Sequence, residues 1–172
     1  MTAKGIRLFM LPLLASLLMA CGERQTVYHA YHTLPMEGWH RQDTLPFDIP
    51  LPDSLATYRL SVEVRHRGNY PYRNLRLLLC HEDAPDRHPS QDSLNLLLAT
   101  PTGRWTGDGL SGLYQNSFPV GPIRIASLPS LPSPQDTTIR CKHFRLHLHH
   151  LLPDSLLPGL SDIGIKVERM GE

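Results

Sequence analysis

Long apolar runs are nearly absent from this 172-residue chain. The one that occurs, Leu8 to Leu18, is too short to cross a bilayer with its ends solvated, which excludes a conventional transmembrane helix there. A dominant charge sign is missing too: seventeen Lys and Arg stand against sixteen Asp and Glu. A near-neutral chain without a basic face has no footprint for nucleic acid. Apolar stripes of helical period are lacking over any useful length, so a helical core is excluded. Cysteine is scarce at three residues, and no CxxC or HExxH spacing supplies a metal centre. No Gly-x-Ser-x-Gly elbow, phosphate-cradling loop or dinucleotide fingerprint occurs. These absences argue against an enzyme, a resident cofactor and a small-molecule substrate.

The N-terminus is the most specific positive signal. Lys4 and Arg7 form a short basic region, the apolar run follows, and Leu18-Met19-Ala20-Cys21 closes it. A Leu at −3, a small residue at −1 and Cys at +1 make a lipobox, similar to the substrates of lipoprotein signal peptidase. Residues 1–20 are therefore expected to leave, with lipid attached to Cys21. Without Lys4 and Arg7, fifteen basic residues face sixteen acidic ones, a formal charge of −1. Fatty chains on Cys21 are the expected membrane anchor, since several chains hold where one binds only marginally. Residues 21–26 read as a polar tether and 27–172 as one domain.

Alternation of period two runs through that domain. Tyr58, Leu60, Val62 and Val64 alternate with Arg59, Ser61, Glu63 and Arg65, which predicts one buried and one wet face. Leu75 to Leu79, Phe144 to Leu148 and Ile163 to Val167 repeat the pattern. Leu94 to Ala99 is more continuous and is expected to be covered on both faces. Val27 to His32, Leu45 to Ile49 and Ser117 to Ile125 are weaker strands, the last made edge-like by Pro119 and Pro122. Sixteen prolines and twelve glycines sit mostly between these runs. The expected fold is all-β: an antiparallel two-sheet sandwich, jelly-roll-like, with a Pro-rich excursion at 127–135.

Several residues invite a chemical reading. His147 and His149 share a strand face and could begin a zinc site, but His143 and His150 do not complete one at ligand spacing. Asp108 alone is too little for calcium. Trp39 and Trp105 could form a sugar-stacking pair, as in a carbohydrate-binding jelly roll. A Trp among glycines, as in Gly103-Arg104-Trp105-Thr106-Gly107, more commonly plugs the end of a sandwich. Asp48, Glu63, Asp83, Asp86 and Asp92 are assigned to loops or wet faces, with no desolvated pair for acid–base work. Cys80 and Cys141 could bridge across two strands in an oxidising envelope, if their geometry allows. His81 follows Cys80 directly and so points to the opposite face, which disfavours a Cys–His nucleophile.

Five tripeptides read Asp, hydroxyl residue, then Thr or Leu, placing Thr44, Ser54, Ser93, Thr137 and Ser155 at the centre of each. Average composition would produce about one in a chain this long. They resemble the O-glycosylation acceptor of Bacteroidetes envelope proteins, although Asp-Ser and Asp-Thr pairs also form good turns.

In order, Trp39 with Phe47, Tyr58-Arg59-Leu60, Val64-Arg65-His66, Asn69-Tyr70-Pro71-Tyr72-Arg73-Asn74-Leu75, Gly103 to Gly107, and Leu157-Pro158-Gly159-Leu160-Ser161-Asp162-Ile163-Gly164-Ile165 form a set. With the lipobox, this set resembles the gliding motility lipoprotein GldH family of the Bacteroidetes, over nearly the whole mature chain. The resemblance implies a non-enzymatic envelope lipoprotein, lipid-anchored, whose partners are other gliding or secretion proteins. Only Cys21 carries over as a site, because the family has no defined catalytic residues. The excursion at 127–135 is longer than the resemblance implies, and the His-rich strand lacks a Met-Arg pair. Gly22 in place of Asp after the Cys suggests the periplasmic face of the outer membrane.

Overall fold

Alternating Leu, Val, Ile and aromatic residues can bury one side only by facing a second sheet, and the chain does so. The computed structural model describes residues 25–53, 56–82, 90–124 and 142–171. Among them are eleven strands and no helix. They are β1 (Thr26–Thr33), β2 (Trp39–His40), β3 (Leu45–Leu51), β4 (Thr57–Arg67), β5 (Asn74–Glu82) and β6 (Ser90–Leu97). β7 (Asp108–Leu110), β8 (Leu113–Arg124), β9 (Lys142–His150), β10 (Leu156–Leu157) and β11 (Leu160–Arg169) follow. A five-stranded sheet has the order β1-β11-β4-β8-β7 and a four-stranded sheet the order β3-β9-β5-β6. Every pairing is antiparallel.

The core lies between these sheets. Tyr58, Val62, Val64, Ile163 and Ile165 line the inner face of the first, and Leu75, Leu77, Leu146 and Leu148 that of the second. Each fully buried aliphatic side chain contributes roughly 1.5–3 kcal/mol by leaving water. β3 spells out the logic in one strand: Leu45, Phe47, Ile49 and Leu51 point inward, while Pro46, Asp48 and Pro50 point out. Two prolines on that strand match its place at the margin of its sheet.

Three strand expectations change in the structure. Leu94 to Ala99 is not covered on both faces: β6 is an edge strand, and Leu97 is 56% exposed. The Ser117 segment begins earlier, at Leu113, where β7 covers it; from Asn116 to Arg124 it pairs with β4 alone and is the edge its prolines predicted. Ser61 and Glu63, expected to be wet, are buried. A small third sheet, β10 with β2, was not anticipated; two residues per strand carry no periodicity to read.

Register defines two ends. Thr26, Glu168 and Arg59 align across the near end, where β1 starts. Thr33, Asp162, Arg65, Gln115 and Asp108 align toward the far end. The turns 68–73 and 111–112, the loop 98–107 and the β2/β10 ribbon all belong to the far end. Cys21, Ser54, Thr137, Cys141 and the excursion 127–135 lie outside the described residues.

Candidate functional site: the far end and the buried carboxylate beside it

His66 is in phase with Tyr58, Leu60, Val62 and Val64, so β4 carries an imidazole into the far end of the core. It has no solvent exposure. Rings enclose it: Trp105 at 4.6 Å between centroids, Tyr114 stacked at 5.4 Å, and Tyr70 at 5.9 Å. Tyr72 extends the cluster edge-on to Tyr70, and its hydroxyl donates to Asp154 Oδ2 at 2.5 Å. Tyr70 OH donates to the Asn74 carbonyl at 3.1 Å, which closes the 68–73 turn onto β5.

Gly159 makes this packing attainable. It sits at φ +84°, and a Cβ there would lie 2.6 Å from Tyr70 Cα. Only a residue without a side chain lets the two segments cross so closely. The Gly159 carbonyl accepts the Arg67 N–H at 2.7 Å, tying β4 to the segment that opens β11. The Asn69–Leu75 and Leu157–Ile165 blocks of the sequence thus meet in space.

His66 Nδ1 donates to the Arg67 carbonyl at 3.2 Å, and Asn116 acts on the other side of the ring, where Nε2 meets no donor in bonding geometry. Asn116 Oδ1, also buried, lacks one as well, although Asn116 Nδ2 donates to Thr106 Oγ1 at 3.0 Å. Burial is the main cause holding the His66 pKa below its ordinary value, so the imidazole is neutral at pH 7. Trp39 closes the neighbouring corner at 1% exposure, donating from Nε1 to the Asp43 carbonyl at 3.2 Å. His150 packs edge-on against it at 5.2 Å, and burial lowers its pKa too.

A second polar assembly lies on the outer face of the five-stranded sheet. Glu63 accepts from the Tyr31 hydroxyl, from His29 Nε2 at 3.0 Å and from Ser117 Oγ at 3.4 Å. Tyr31 belongs to β1, two strands from β4, and reaches Glu63 by lying across Gly164 of β11. A Cβ on Gly164 would stand 2.5 Å from the Tyr31 ring. Arg65 covers the other ring face at 4.0 Å and hydrogen-bonds Gln115 at 3.0 Å. Burial pushes the Glu63 carboxyl up, but bonds from Tyr31 and His29 outweigh it and leave the pKa below the ordinary range. Burial and the bond to Glu63 raise the Tyr31 pKa to about 12.

Other sequence expectations are placed plainly. Trp39 is enclosed and Trp105 is half-buried against the core, so no open pair of indoles forms; the plug is what Trp105 provides. His147 and His149 share the outward face of β9 while His150 turns inward. Among the described residues no three His, Cys, Asp or Glu are grouped to hold a metal ion. Asp108 is exposed on β7. Cys80 is half-buried on β5 opposite His147, burial raises its thiol pKa, and its expected partner Cys141 lies outside the described residues. Thr44, Ser93 and Ser155 are exposed. Sequence reasoning missed Glu63 and His66. A glycine inside the alternating β11 pattern was the readable sign of one, and the phase of β4 of the other.

The profile of the GldH lipoprotein family matches residues 26–167. The gliding motility lipoprotein GldH of Flavobacterium johnsoniae is 26% identical over 91% of this chain and 93% of its own length. A GldH homolog of Christiangramia forsetii is 25% identical over 59% of this chain and 61% of its own. A solved chain from infectious bursal disease virus covers 85% of this chain and 39% of its own at 10% identity, and its TM-score of 0.24 bears on nothing further. Matched from the first strand to the last, the chain belongs to the GldH lipoprotein family.

Proposed function

We propose that this chain is an envelope lipoprotein of the gliding machinery, held to a membrane by lipid on Cys21 and acting by contact rather than catalysis. The observation that carries the reading is the family match through 26–167, directly downstream of a lipobox. The relatives' names, gliding motility lipoprotein and its homolog, point to the same role. The architecture is consistent with it. Both sheets spend their inner faces on one another, and the most unusual polar group, Glu63, spends its oxygens on neighbouring side chains. A satisfied carboxylate of that kind braces a sheet; general acid–base work needs a group free to exchange its proton with a substrate. Gly22 after the Cys supports the periplasmic face of the outer membrane as the site of anchorage.

The test is Cys21→Ser expressed in the source cells. The variant is expected to stay unprocessed at the lipobox and to leave the detergent-extracted membrane fraction, as is the unaltered chain under globomycin. Unchanged processing and fractionation in both arms would remove the anchor from the account.

A further inference from the structure

Among the described residues, six large apolar side chains are exposed, and their placement is uneven. Met36, Leu97, Leu110, Leu113 and Leu156 belong to the far end; Met170, after β11, is at the near end. The densest group is a hairpin prong. Leu110 and Leu113 face each other across a two-residue turn, Ser111 at φ 55° and Gly112 at φ 80°. Positive φ at both positions is the tight turn whose twist suits a hairpin, so the tip is built to hold its shape. The Gly68 N–H donates to the Gly112 carbonyl at 3.0 Å and braces it against the 68–73 turn. Yet Leu110 is 84% exposed, Leu113 43% and Leu97 56%. Arg67, in register with Leu113, is exposed, as are Arg73 and Arg104. None of the three is in an ion pair among the described residues.

No connection between the described strands is long enough to cover this surface. The segments between strands that lie outside the described residues, 54–55, 83–89 and 125–141, all connect strands at the near end. The longest segment between strands, 125–141, has a contour of about 60 Å, less than the roughly 70 Å needed to run the length of the sheet and return. The anchoring bilayer does not cover it either. From Cys21 to Thr26 the chain spans at most about 17 Å, whereas the eleven residues of β4 separate the two ends by about 36 Å. The far end therefore cannot be turned end-on to the membrane that holds the lipid. A second copy is disfavoured by charge, because a two-fold contact would set the same arginines against each other.

We propose that the Leu110–Leu113 prong docks a different envelope protein, entering an apolar groove edged by carboxylates that pair with Arg67, Arg73 and Arg104. Apolar centres rimmed by arginine are the usual anatomy of a specific protein interface. The proposal rests on the reading of the chain as an anchored envelope protein and names the surface it works through.

The experiment places a photo-crosslinking phenylalanine at position 97, 110 or 170 of the full lipidated chain in its own cells. Positions 97 and 110 are expected to yield one adduct with the same protein, mapped by mass spectrometry to a surface bearing Asp or Glu; position 170 is not. Leu110→Glu is expected to reduce the adduct from position 97 at least tenfold, and Arg67→Glu with Arg104→Glu at least fivefold. Leu110→Ser, which suits a hairpin tip, is expected to reduce it too, which separates docking from misfolding. Adducts only with a second copy or with lipid, no adduct from 110, or indifference to both sets of changes would overturn the proposal. Membrane fractionation of the same samples reports on Cys21 separately, so loss of the anchor and loss of docking are distinguishable.

Discussion

Glu63 and His66 stand three residues apart on β4, both nearly without solvent exposure, and the strand treats them in opposite ways. Glu63 faces outward under Tyr31 and receives three side-chain donors drawn from β1 and β8. His66 faces inward among rings, with one nitrogen on a carbonyl and the other beside the Asn116 amide without a matched donor. The outer face thus converts a costly burial into a brace joining strands that do not touch in the ladder. The far end instead keeps buried polar atoms without a matched partner, where the exposed leucines also gather. Such departures from full satisfaction concentrate where a molecule serves something other than its own folding.

The contrast breaks most sharply at Gly159. Gly159→Ala would force a Cβ against the Tyr70 backbone at positive φ, and is expected to cost about 3 kcal/mol from strain and overpacking together. Urea unfolding of the lipid-free protein measures it, and fluorescence from Trp105 should change with it. Glu63→Ala comes next, at about 2 kcal/mol at pH 7, because Tyr31 and His29 lose their shared acceptor. Gly164→Ala is expected to displace the Tyr31 ring and to add little once Glu63 is gone; a double-mutant cycle with coupling near zero would refute that link.

Acidity separates the two groups further. The folded pKa of His66 is below its ordinary 6.5, so the unfolded chain binds its proton first as pH falls. Stability from His66 is complete above pH 6.5 and declines below it, with His150 acting in the same direction. Glu63, also lowered, keeps its contribution down to about its ordinary 4.5 and loses it below. His66→Phe is the mildest change expected, within about 1 kcal/mol at pH 8 since it removes an orphaned nitrogen. It should flatten the decline between pH 6.5 and 5 while leaving the later, carboxylate step intact. Thermal unfolding across that range checks both statements.

Much of this was legible in order of residues. Phe144 to Leu148 alternates so cleanly that β9 could be oriented by eye, and Trp105 among its glycines announced a plugged end. Glu63 was not legible. A Glu at an outward position of an amphipathic strand looks identical whether water or a tyrosine two strands away covers it. Leu97 misled for the complementary reason: a continuous apolar run suggests two covered faces, but only the inner face is covered, and Leu97 between buried Leu96 and Leu98 is 56% exposed.

What the order of residues determined alone was local and periodic: the lipobox, the alternation that makes strands, and the turns that separate them. Those follow from steric preference and from the two-residue repeat of a pleated backbone. Which strands became neighbours, and so which carboxylate found a tyrosine and which imidazole was left with rings, was decided only in three dimensions. Hydrogen bonds and burial at those sites join residues more than thirty positions apart, and no local pattern encodes such a meeting.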